Sequence, residues 1–577
     1  GQGIAMKRAV KGIGSVAKRR REEERKEIEN SSLFEEFFFS AENVAKLRKE
    51  YQETRPFKHV LIENACNSEG LKIALDQALE HMKADLRESD SFKVYQTKKF
   101  QHMNEQELQP IRKITALKQM VYSKEFLKTI QEITGSPDLS DEVDFSAYIL
   151  NEGCHMLPNN EMWLSGSRAI GFLLFMTPES EEWEEADGGY LELYPDSEGG
   201  AGCVPAKLIA PKWNSMLVFE AGHFFGFQEV CVPDKTVLCM AGWFSSSSKT
   251  ESGERKTPPG TDEYLVGAGE FMTMSSESKL SEEERKFLSE YVNPKYLEDD
   301  VISEISSQFE EDSFVELKDF IQATKLEKLA EHLFRMDKKV DGDSRRVNYE
   351  DGASNGWKLV GPSNCRRYLT LKASGEEEKE TDDPTKFLIS VKSKLFESEA
   401  FAKLISALTG VLVTEARSLI RRFRPGLDYV QAAGHISGKE MRLDATLCFV
   451  DDTDQKISSK EARNGGSVDA SDDRDVCQSK ADMWQSSLVG GYTSFVAKDD
   501  FRPYIVYEGG ASRQTEKKSE EEEQDDEPFA QAMACNNSLF IALRDEGVSS
   551  LVKFVSGLAP GSRFDVTYEA KMRYHDE

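Results

Sequence analysis

Eight histidines are the side chains of this 577-residue sequence best suited to hold a redox metal, and their spacing limits what they can do. A non-haem Fe(II) centre uses two histidines and one carboxylate on one face, leaving the facing positions open for cosubstrate and oxygen. In sequence such a centre begins as His-x-acid, with the second histidine much later. His59, His81, His102, His155, His223, His332 and His435 have no acid two residues on. Only His575, followed by Asp576 and Glu577, passes, at the very end of the sequence. The nine cysteines contain no C-x-x-C and no evident pairing, as expected of a reduced intracellular protein.

The surrounding sequence predicts elements that would position such side chains. The length implies two domains plus tails. A net charge of −29 argues against a chain-wide nucleic-acid surface. The longest apolar run, "AIGFLLFM" at 169–176, has the length of a strand and not of a membrane helix, so no membrane partner is expected. Residues 1–32 read as a basic disordered tail, with Met6 a candidate start of translation. Lys7 and Arg8, a nine-residue spacer and "KRRR" form either a bipartite nuclear-import signal or a solvated basic arm. Nucleic-acid contact is expected only through that arm, and the location expected is nuclear and cytoplasmic.

A strand at "FKHVLIENA" precedes a helix over 68–86 with Leu71, Ala74, Leu75, Ala78 and Leu79 on one stripe, and a second helical stretch covers 108–133. Six β-rich runs follow: "VDFSAYIL", "RAIGFLLFMT", "GGYLELYP", "AKLIAP", "NSMLVFEA" and "KTVLCMAGWF". Short strands broken by Gly, Pro and Asn predict a jelly-roll-like sandwich. The first roll is placed at 33–248, a linker at 249–280 and a second domain at 281–577, opening on the capping box Ser281-Glu282-Glu283-Glu284. Polar interruptions at 376–383, 451–482 and 516–527 read as disordered loops, the last with eight acids and two lysines.

These pieces resemble, in content and in order, the prolyl 3-/4-hydroxylases that modify a small-subunit ribosomal protein, the termination-and-polyadenylation group of 2-oxoglutarate oxygenases. The segment "LQPIRKITALKQMVYSKEFLKTIQEITGSPDLSDEVDFSAY" is similar to the family's approach to its first core strand. "RAIGFLLFM", "GGYLELYP", "PKWNSMLVFE" and "AGWF" resemble its core strands. "LSEYVNPKYL" and "ISSQFEEDSFVELKDF" resemble the inter-domain helices, and "RRFRPGLDYVQA" and "NNSLFIALRDEGVSSLVKFVSGLAPGSRFDV" the second, non-catalytic roll. The resemblance covers roughly residues 35–575 and implies a mostly β fold with flanking helices: two double-stranded β-helix (jelly-roll) domains in tandem.

The family's functional residues do not carry over. Counted from Tyr148 with one inserted residue, its His-Asp-Asp-Glu falls on Pro158-Asn159-Asn160-Glu161, so the first ligands become Pro158 and Asn160. The second histidine falls on Gln228, and the arginine five residues before the glycine of "GWF" falls on Val237. That arginine would grip the far carboxylate of 2-oxoglutarate through two parallel charge-assisted bonds, which valine cannot make. Tyr148 matches a cosubstrate-contacting tyrosine, whereas a second tyrosine is replaced by Phe175. The reading is therefore a pseudoenzyme, with no metal and no cofactor expected, that binds a protein partner. Candidate partners are a basic ribosomal protein or a translation-termination factor. The alternative is an active prolyl 3-hydroxylase using Fe(II), 2-oxoglutarate and ascorbate through a relocated site. That site would be built on His155 and His223, with Glu152, Glu161 or Glu220 as the carboxylate.

Overall fold

The computed structural model describes residues 4–5, 33–160, 168–178, 183–197, 200–246, 269–326, 347–371, 384–432, 441–453, 456–457, 478–497 and 530–574. His332, His435, His575, Glu161, the basic stretch 7–21 and the polar runs 376–383 and 516–527 lie outside the described residues. The chain divides into two compact units, built chiefly from Gly1–Thr257 and from Pro258 onward.

The first unit is one curled antiparallel sheet with helices on one face. Its strands are β1 (His59–Glu63), β2 (Lys83–Glu88), β3 (Phe92–Gln96), β4 (Leu139–Leu150), β5 (His155–Asn159), β6 (Arg168–Phe175), β7 (Leu191–Leu193), β8 (Lys207–Ile209), β9 (Ser215–Glu220), β10 (Phe225–Phe227) and β11 (Val237–Ser246). Their hydrogen-bonded order is β8-β7-β10-β5-β3-β4-β11-β6-β9-β1, with β2 beside β3. The two ends of that path meet where Lys207 Nζ donates to His59 Nε2 at 2.9 Å. A carbonyl only accepts, so His59 carries its proton on Nδ1, which bonds Phe57 O at 2.8 Å.

Helices α1 (Ala41–Glu53), α2 (Ser68–His81), α3 (Arg112–Val121) and α4 (Lys124–Thr134) cover the outer face. The stripe expected on α2 is there: Leu71, Ala74, Leu75 and Ala78 are buried, and Leu79 packs partly buried beside them. The helix is shorter than the sequence suggests. It stops at Met82, and Lys83–Glu88 pairs with β3 instead, so sheet pairing overrides local helix propensity. The helical stretch at 108–133 is broken at Tyr122, where Ser123 caps α4 by accepting the Phe126 N–H.

The second unit repeats the plan. Strands β12 (Phe314–Lys318), β13 (Trp357–Val360), β14 (Arg366–Leu371), β15 (Leu412–Phe423), β16 (Tyr429–Val430), β17 (Arg442–Phe449), β18 (Thr493–Ala497), β19 (Ala530–Ala532), β20 (Ser538–Arg544), β21 (Val548–Val552) and β22 (Arg563–Arg573) form its sheet. Their order is β12-β20-β17-β22-β15-β14-β16-β21-β18-β19, with β13 beside β14. Helices α5 (Glu282–Leu288), α6 (Asp299–Asp312) and α7 (Glu399–Thr409) supply side chains to its largest apolar cluster. The Ser281 capping box forms as expected. The fold is thus mostly β, with a jelly-roll sheet in each unit.

Three boundaries differ from expectation. Ile4–Ala5, inside the expected tail, pairs with Ala84 and Lys83. Met272–Thr273, inside the expected linker, pairs with β15. The interruption at 451–482 is anchored at both ends, because Asp451 ion-pairs with Lys480 and its carbonyl accepts the Trp484 indole N–H at 3.1 Å.

Candidate functional site

Alternation along each strand sends one face toward the helices and the other into the space enclosed by the curled sheet. On β4, β11 and β6 the inward residues Tyr148, Cys239 and Phe175 stand side by side in register. Val237 lies two residues before Cys239, opposite Leu150. Val237, Cys239, Phe175 and Leu150 are buried in one apolar cluster, and Tyr148 packs against it. The structure therefore brings together the three positions that sequence counting placed around a cosubstrate. The Tyr148 hydroxyl accepts a bond from Gln96 Nε2 at 3.3 Å. Burial pushes the Cys239 thiol up to about 12, so it stays neutral.

The opposite wall is made by β5 and β10. Asn159 faces Phe225 and Met156 faces Phe227, so Leu157 and Pro158 together oppose the single residue Gly226. This is a bulge, where a proline without an N–H does least harm. A Cβ on Gly226 would lie 2.7 Å from the Met156 carbonyl oxygen, so the close approach requires glycine. Met156, Phe225 and Phe227 belong to the apolar cluster. Gln228 is the next residue, buried just past the end of β10, and its backbone N–H bonds Tyr190 O at 2.9 Å. Phe227, opposite Met156 and buried in the cluster, is an inward position that the sequence reading did not name. The alternation Phe225, Gly226, Phe227 was the available signal. Pro158 is buried in the bulge. Asn160 follows β5, half-buried, and its Oδ1 has no hydrogen-bond partner among the described residues.

The relocated set is dispersed. His155 pairs with Lys93 while its neighbour Met156 enters the cluster, so the His155 ring is on the outer face. Its Nδ1 lies 3.2 Å from Gly153 O. Glu152 bridges to Val230. His223 stacks on Phe57 at 4.7 Å, with Asp196 Oδ2 2.7 Å from Nδ1 and Glu220 Oε2 3.3 Å from Nε2. Those carboxylates address different sides of the imidazole and do not converge on one point. The Glu220 bond, joined by Asp196, raises the His223 pKa above that of a free histidine. Among the described residues, no three His, Cys, Asp or Glu side chains group closely enough to hold a metal.

Fe(II) favours imidazole and carboxylate donors, and 2-oxoglutarate requires a cation for its distal carboxylate. The described inward residues at these positions offer a thioether, one buried thiol kept neutral, the Tyr148 phenol already bonded by Gln96, aromatic rings and aliphatic chains, and they supply neither imidazole, carboxylate nor cation. The interior becomes polar at its other end. There Arg168 lies over the Trp243 ring at 4.9 Å and pairs with Asp144 at 3.0 Å, and Lys99 reaches the same carboxylate at 3.1 Å.

A curled sheet of this order, enclosing a space lined from both walls, defines the double-stranded β-helix of the 2-oxoglutarate–Fe(II) oxygenase class. Residues 145–245 match the profile described as 2OG-Fe(II) oxygenase superfamily. Residues 283–577 match the profile described as oxoglutarate and iron-dependent oxygenase degradation C-term, and the chain belongs to the OGFOD1-type prolyl hydroxylase family. It is 25% identical over 532 residues to the prolyl 3,4-dihydroxylase OGFOD1 of Ostreococcus tauri, covering 89% of this chain and 94% of that one. It is 26% identical over 362 residues to the prolyl 3-hydroxylase OGFOD1 of Mus musculus, covering 62% of this chain and 56% of that one. Against the crystal structure of a Pseudomonas putida prolyl-4-hydroxylase the identity is 13% and the TM-score 0.26, over 35% of this chain and 98% of the other.

Proposed function

We propose that this chain is a non-catalytic member of its family, acting as a protein-binding scaffold or regulator linked to translation. One observation carries the reading: Val237, Phe175 and Phe227 fill the inward positions as buried parts of a single apolar cluster. An iron–cosubstrate pair would need charged and imidazole groups there. Without them, the iron, 2-oxoglutarate and ascorbate of an active relative have no role in this chain. What remains is surface, and a net charge of −29 suits a basic partner by accelerating encounter. A basic ribosomal protein or a translation-termination factor fits that description, met in the nucleus or the cytoplasm.

The test is calorimetric titration of the full chain with Mn(II), an oxygen-stable stand-in for Fe(II), with and without 2-oxoglutarate. The expected result is no micromolar binding by a folded protein. Tight Mn(II) binding that is lost in His155→Ala and His223→Ala would overturn the proposal and make this an oxygenase with a relocated metal centre.

A further inference from the structure

The side-chain bond between the two ends of the first sheet, from Lys207 Nζ to His59 Nε2 at 2.9 Å, has the parts of a nucleophilic site. It owes nothing to the residues at the iron positions. An activated nucleophile needs a base within hydrogen-bond reach and a third group that orients the base. His59 is completely buried, and its Nδ1 bond to Phe57 O at 2.8 Å fixes the ring and leaves the Nε2 lone pair aimed at the amine. Burial lowers the His59 pKa by more than the Phe57 bond raises it, and the Lys207 charge lowers it further, so the ring is neutral.

Lys207 is half-buried on the edge strand β8, where a solute can reach it. Among the described residues no carboxylate pairs with its Nζ, and burial lowers its pKa from that of a free lysine. A neutral amine is therefore more available here than on an exposed helix. The same lack of a counter-charge selects among electrophiles. An aldehyde would leave a cationic imine against a neutral imidazole, with no carboxylate to meet it. An acyl group leaves a neutral amide whose single N–H continues to donate to Nε2.

We propose that Lys207 is an acylation site that takes an acyl group from a thioester, with His59 as the base. The ammonium first releases a proton to solvent. The amine nitrogen then attacks the acyl carbon, and His59 Nε2 takes a proton from that nitrogen as the C–N bond forms. The C–S bond breaks, and the departing thiolate receives the proton from His59 and leaves as a thiol.

The experiment incubates the full chain near neutral pH with a short acetyl thioester, S-acetyl-N-acetylcysteamine, and follows individual lysines by peptide mass spectrometry. Lys207 should be acetylated about tenfold faster than Lys46 and Lys128, whose side chains are 69% and 76% exposed. Access alone predicts the opposite order. In the parent chain the Lys207 rate should also level off at a lower pH than theirs. His59→Gln keeps an acceptor for Lys207 but takes no proton, and it should bring the Lys207 rate down to that of the exposed lysines. The proposal is overturned if Lys207 reacts no faster than Lys46, if the three rates level off at the same pH, or if Lys207 in a folded His59→Gln chain reacts as fast as in the parent.

Discussion

At position 237 an arginine would enter a space occupied by Leu150, Phe175 and Cys239, none of which carries a charge to meet it. Val237→Arg is expected to lower stability by about 3 kcal/mol, read from the urea midpoint, with no 2-oxoglutarate binding gained. His223 makes a milder prediction. Its pKa is raised by Glu220 and Asp196, so its contribution is complete below the unfolded value of about 6.5 and lost as pH rises through the folded one. Glu220 is held below the usual carboxylate range, chiefly by His223, so its share is present above about 4.3 and lost as pH falls through its lowered value. His223→Gln should therefore cost most near pH 5.5, about 0.5 kcal/mol because both carboxylates are well exposed, and nothing at pH 9, as urea titrations at the two pH values would show. Val237 and Phe175 both lie on long strands with an obvious register, so counting along the sequence assigns them a face directly. Gln228 lies past a turn and a three-residue strand, where counting carries no parity to say which of two neighbours faces inward.

The bulge between β5 and β10 sets that parity, and Gly226 permits it. Gly226→Ala should cost about 2 kcal/mol in urea denaturation, because the added methyl must displace the Met156 carbonyl or the strand that carries it. The helical covering depends on a different local device. Ser123 caps α4 from the break at Tyr122, and Ser123→Ala should lower stability by about 1 kcal/mol in the same assay. Elements of eight or more residues with a regular apolar pattern, such as β6, β11 and α2, were legible in the sequence. β5 and β10 were not, since five residues containing a proline and three containing a central glycine carry no periodicity to read. β15 is hard to read for a different reason. Its charged residues look like a polar surface until Arg417 and Arg421 are seen to meet Glu569 and Asp565 across the ladder.

Each unit has apolar clusters drawn only from its own residues, yet the two interiors are built on different chemistry. The first encloses mainly aliphatic and aromatic side chains, with the Arg168, Asp144 and Lys99 group at one end. The second encloses ion pairs: Arg544 bonds Asp444 at 2.7 Å and Glu569 at 2.9 Å, and Arg417 bonds Glu569 at 2.7 Å. Composition cannot distinguish the acids of this network from those in solvated runs, although removing them has opposite consequences. Neutralising an exposed acid in a molecule of net charge −29 relieves repulsion, whereas removing a buried one leaves guanidiniums without their counter-charge. Asp565→Ala would remove the one carboxylate that Arg421 and Arg563 both bond, at a cost of about 4 kcal/mol. Scanning calorimetry should show the unfolding of the second unit lowered by roughly 10 °C. Asp565→Asn should fall nearly as far, because the amide keeps the shape of the side chain and loses the charge that two guanidiniums require. An Asn variant as stable as the parent would mean that the network is held by hydrogen-bond geometry and not by charge.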